Sequence, residues 1–88
     1  MDSYRPALEM WCENEWGQAP QAISEWHADE DMAQAFMRLN RSVLIADFIV
    51  DDDGTLECKE HLQIPLDRWN PGSIQAFRTA DGRVRFRH

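Results

Sequence analysis

The sequence predicts an α+β fold in which two or three N-terminal helices pack on one face of a four-stranded antiparallel sheet built from two consecutive hairpins. Three observations predict it. Apolar residues recur at helical spacing up to about residue 41, Val43 to Leu66 reads as two long strands around an acidic turn, and a second Asp-Gly pair, Asp81-Gly82, separates two shorter runs. Neither layer can bury its apolar side alone, so stacking them is the economical solution. The 88 residues then make a single compact domain, 1–88, with a helical part over about 3–41 and a sheet part over about 43–88.

The first helix has clear boundaries. Pro6 suits a first turn, with Ser3 or Asp2 as the cap, and Gly17 is placed to end it. Leu8, Trp11, Cys12 and Trp16 form its inward stripe, while Glu9, Glu13 and Asn14 face out. Pro20 opens a short second helix through about His27 with Ile23 and Trp26 inward. Asp29-Glu30-Asp31 then suits the start of a third helix, because acids stabilise exposed amides there. Met32, Ala35, Phe36 and Leu39 repeat at helical spacing, Arg38 and Arg41 suit the carboxyl end, and Asn40-Arg41-Ser42 is the exit.

The central hairpin turns at Asp51-Asp52-Asp53-Gly54, which suits a type I turn closed by a left-handed glycine. Setting Asp51 opposite Thr55 pairs Val50 with Leu56, Phe48 with Cys58, Ala46 with Glu60 and Leu44 with Leu62 on one face. The other face pairs Asp47 with Lys59 and Ile49 with Glu57. A one-residue slip would scramble this segregation. Glu60 sits awkwardly on the inner face and suggests a bulge or strand end near Glu60-His61. The acidic run also partly fits a calcium-binding EF-hand loop, but Ile49 stands at the first ligand position and Pro65 would interrupt the exit helix, so a polar turn is preferred.

After Leu66, Asp67 to Gly72 is a loop by composition, followed by a third strand from Ser73 to Phe77 and a fourth from Arg83 to Arg87. Their register stays open. A two-residue turn opposes Phe77 and Phe86, whereas a three-residue turn gathers Ile74, Ala76, Val84 and Phe86 on one face.

Charge is the most informative bulk property. The net charge is −7, and residues 1–31 hold eight acids against Arg5 alone, while residues 32–88 balance eight acids with eight bases. An acidic surface disfavours nonspecific binding to nucleic acid or membrane and attracts basic partners. No apolar run is long enough to cross a membrane and the first residues do not resemble a secretory signal, so a cytoplasmic location is expected. Cys12 and Cys58 follow no metal spacing and are expected to be reduced, small apolar residues. No nucleophile motif, glycine-rich phosphate loop or metal-ligand spacing stands out, so neither an enzyme activity nor a cofactor is expected. Cys58 and His61, three apart on an extended strand, point to opposite faces unless a bulge intervenes.

The expected function is therefore binding of a protein partner, as an inhibitor or accessory factor that occupies a basic surface. Trp16 and Trp69 are the tryptophans best placed for contact, at a helix end and in a loop. Val43, Ile45 and Ile49 line the hairpin's outer face, which is either covered by a helix or the Trp69 loop, or left open as an interface. Arg83, Arg85 and Arg87 project from one side of the last strand, where they could hold anionic groups or deter aggregation. The alternatives are a nucleic-acid-binding module using those arginines with Arg78, and a homo-oligomeric component pairing through the outer face or an open strand edge.

Overall fold

Proline near the start and glycine just past the end bound the first helix. In the computed structural model, which describes residues 4–28, 32–70 and Val84, helix α1 spans Arg5–Trp16 with Pro6 in its first turn. Tyr4, rather than Ser3 or Asp2, occupies the cap position. Gly17 adopts φ 70°, a left-handed conformation that costs glycine little, and its N–H donates to the Glu13 carbonyl at 2.9 Å.

The second and third helices expected over about 20–41 are instead strands, which also removes most of the expected helical part of the domain. Strand β1 spans Ala22–Ala28, β2 Met32–Arg38, β3 Ser42–Val50 and β4 Leu56–Pro65. They form one antiparallel sheet in the order β1-β2-β3-β4. The fold remains α+β with an antiparallel sheet, but α1 is its one α-helix among the described residues. Asp29-Glu30-Asp31 and the third and fourth strands expected at 73–77 and 83–87 lie outside the described residues, Val84 excepted. The register expected for that second hairpin lies outside them too.

A bulge explains the helical disguise of β1. Ile23 pairs with Met37 and Trp26 with Ala35, and the register shifts between Ile23 and Glu25. In a regular strand residues three apart face opposite ways. The extra residue, Ser24, puts Ile23 and Trp26 on the same face, where both pack on the α1 core. In β2, Ala33 to Met37 are all buried, because the two faces of this interior strand are both covered. Burial on both sides offsets the helix preference of Met, Ala and Gln.

The hairpin between β3 and β4 has the expected turn and starts in the expected register. The Asp51 N–H donates to the Thr55 carbonyl, the Gly54 N–H to the Asp51 carbonyl, and Gly54 has φ 84°. Val50 faces Leu56, Ile49 faces Glu57 and Phe48 faces Cys58. The pairing then shifts: Lys59 is the extra residue, so Asp47 meets Glu60, Ala46 meets His61, Ile45 meets Leu62 and Leu44 meets Gln63. The expected pairs Asp47–Lys59, Ala46–Glu60 and Leu44–Leu62 do not form. The bulge spares the core, because without it Glu60 would point at α1. The chain leaves the turn in β4 rather than in the exit helix that a calcium-binding EF-hand requires.

The sheet faces are covered differently. On one, Leu8 and Cys12 of α1 pack with Ala35, Met37, Leu39, Leu44, Ala46 and Phe48. Trp11 meets Phe48 edge-on at 4.9 Å, and Tyr4 stacks on Trp26 at 5.1 Å. On the other face Phe36, Ile45 and Val84 form a smaller cluster, with Ile64 and Trp69 against it. Trp69 follows a short 3-10 turn, Leu66–Arg68, and meets Phe36 edge-on at 6.3 Å.

Candidate functional site

The same turn that sets the hairpin register also brings its acids up to α1. Between them lies an open groove of about 400 Å³. Ala7, Met10 and Trp11, at helical spacing on α1, form one apolar side and Leu56 of β4 the other. Asn14, Asp53 and Thr55 line its polar part. Met10 is 65% exposed and Leu62, the other exposed large apolar side chain among the described residues, 39%.

Among the described residues, the charge that lines the groove is negative. Glu13 follows Met10 by three residues on the helix, and Asp51 and Asp52 adjoin Asp53 in the turn; all four carboxylates are exposed. Arg5, the single base of α1, is engaged by Glu9 at 2.9 Å. Asp53 Oδ1 accepts the Thr55 N–H at 3.0 Å. Hydrogen bonds from Thr55 lower the pKa of the Asp53 carboxyl.

Of the expected contact residues that the structure describes, Trp69 and Ile45 share one cluster, and Trp16 stands on the other sheet face. Trp16 is half-buried beside the far end of α1, 5.1 Å from Trp11 and 5.0 Å from His61, with its indole N–H donating to Gln63 Oε1 at 3.3 Å. Trp69 lies on the opposite sheet face. Val43 and Ile45 are buried there and Ile49 is half-buried, so the Trp69 segment and Val84 contribute the cover over this face. Arg83, Arg85 and Arg87 lie outside the described residues. Met10 was not among the expected contacts, although its position off the inward stripe of α1, beside acids, is the signal that marks it.

The Lys59 bulge has a chemical consequence. It places Cys58 and His61 on the α1 face together, against the alternation of a regular strand. That does not activate the thiol. Burial first, then the carboxylates of Glu15, Asp47 and Glu60, push Cys58 up to about 11. Its Sγ lies 3.6 Å from the Glu60 carbonyl, while His61 packs edge-on against Trp16. A thiol so raised supplies almost no thiolate at neutral pH. Cys12 is fully buried, and burial together with Glu13 raises it too; both cysteines are free.

Among the described residues, no three His, Cys, Asp or Glu side chains group as a metal site requires, and no helix is long and apolar enough to cross a membrane. No known protein family, curated protein or solved structure matches the chain.

Proposed function

We propose that this protein works by binding another protein through its acidic α1 side, as an inhibitor or accessory factor that occupies a basic surface. The observation that carries this reading is an exposed apolar residue, Met10, in an open groove whose opposite side is the acidic β3–β4 turn, with Asp53 in the lining. Interfaces combine an apolar centre that excludes water with a polar rim, and the charged rim steers the encounter and rejects wrong partners. Carboxylates on this surface favour a cationic partner and disfavour a nucleic-acid backbone.

Affinity capture from lysate of the native host tests it, using the wild type and the triple charge reversal of Glu13, Asp52 and Asp53 to lysine. The reading expects a partner with a basic surface to be captured by the wild type and lost by the variant, while Trp69→Ala retains it. Tight binding of the wild type to generic DNA or RNA that weakens steeply with salt would overturn the reading in favour of a nucleic-acid module.

A further inference from the structure

We propose that the groove between α1 and the β3–β4 turn is the anchor point of that interaction, and that its occupant is a cationic protein segment. The segment inserts an apolar side chain of leucine size between Met10, Trp11 and Leu56. This rests on the protein-binding reading and adds where the partner docks and what it must present.

The groove's shape decides between a small ligand and a side chain. At about 400 Å³ it lies near the low end of small-molecule sites. Such sites enclose most of the ligand surface, whereas this one opens on solvent between a helix and a turn tip. An open site of this size suits a side chain delivered by a larger body, whose remaining surface covers what the groove leaves exposed. Met10 suits that task chemically. An unbranched, polarisable thioether adapts to different apolar side chains with little strain, and Trp11 beside it offers a broad apolar wall.

Charge selects the flanks of the incoming segment. Among the described residues no base lines the groove, and Asp53, which does, is preceded in the turn by Asp51 and Asp52. An occupant carrying carboxylates would meet like charge at the turn, while lysine or arginine beside the apolar anchor would meet opposite charge there.

The chain carries its own reporters. It has four methionines; Met10 is in the groove, and Met37 is fully buried under the helix and serves as an internal control. The full chain, labelled with carbon-13 at its methionine methyls, is titrated with three peptides. The first is helical, of lysine and arginine with a leucine stripe. The second replaces the leucines by glutamine, and the third replaces the bases by glutamate.

The first peptide is expected to move the Met10 methyl signal saturably while Met37 stays still. The loss of either its leucines or its bases should weaken binding about tenfold or more, the scale of one anchoring contact. Met10→Gln, at an exposed position, and Asp53→Asn, which keeps a side-chain oxygen to accept the Thr55 N–H, should each weaken binding of the first peptide, followed by tryptophan fluorescence. Equal binding of all three peptides would overturn the proposal. So would binding that moves other methyls and leaves Met10 unmoved, a result that would retain protein binding while removing the groove. Absence of any saturable shift would overturn the groove as the anchor, and the capture experiment would then decide the broader reading alone.

Discussion

The two faces of the sheet are closed by different physics. Under α1 the contact is apolar: Leu8 and Cys12 against Met37, Leu44, Ala46 and Phe48. Such packing is strong and has little directional preference. On the opposite face a fully buried glutamine occupies the equivalent position. The Gln34 side chain accepts the Val84 N–H at 2.7 Å, and its amide lies 2.9 Å from the Val84 carbonyl and 2.8 Å from Asp47 Oδ1. A primary amide has an acceptor and donors side by side, as a backbone peptide does, so Gln34 offers Val84 the pairing that a neighbouring strand would offer. Apolar volume holds one face, and directed hydrogen bonds fix a single position on the other. The difference teaches that the face with the smaller apolar cluster gains its specificity from a polar network, which is costly if broken in part.

The helix face should yield the largest effect when broken. Phe48 is fully buried, edge-on to Trp11. Phe48→Ala is expected to lower stability by about 3–5 kcal/mol, read by urea or thermal unfolding. The polar face breaks differently. Gln34→Met preserves volume while removing the hydrogen bonds to Val84 and Asp47, and a loss of about 1–3 kcal/mol is expected, the cost of leaving buried polar groups without their partner. An unchanged unfolding midpoint would mean that volume alone matters on this face.

A third effect sharpens the helix side at its edge. The folded Cys58 thiol ionises at about 11, against an ordinary value of 9.0. A raised folded value means that the folded state holds its proton more tightly than the unfolded chain. The contribution to stability is therefore complete below about pH 9 and fades as pH rises towards 11. Cys58→Ala should flatten that alkaline slope in unfolding experiments. Alkylation of native Cys58, followed by mass spectrometry, should be slow at neutral pH and quicken only in strong alkali. The smallest effect is expected from deleting Lys59. Each remaining residue keeps its cross-strand partner and its face when the bulge is removed, so stability should change by no more than about 0.5 kcal/mol, as for an uneventful surface change.

Strands β1, β2 and β4 also explain what could be read in advance. Helix α1 and the β3–β4 turn were legible because Pro6, Gly17 and Asp53-Gly54 are local signals that need no tertiary context. The strands β1 and β2 were not, for two reasons. The Ser24 bulge gives Ile23 and Trp26 the spacing of a helix, and Met32 to Arg38 has few β-formers and is extended because both its faces are buried. The bulge in β4 was anticipated from the misplaced Glu60, one residue from where it lies. Cover over Ile45 depends on Trp69 and Val84, distant in sequence, so local spacing held no sign of which alternative would hold. The groove was hidden for the same reason. Met10 and Leu56 are neighbours only once the hairpin has folded back onto α1.

Amide hydrogen exchange at Val84 tests the contrast between the faces most directly. If Gln34 supplies the pairing that closes the second face, the Val84 amide is strongly protected in the wild type. In Gln34→Met it should lose that protection while the Leu44 amide of β3 keeps its own. A Val84 amide that exchanges freely in the wild type, or one equally protected after the substitution, would contradict the account.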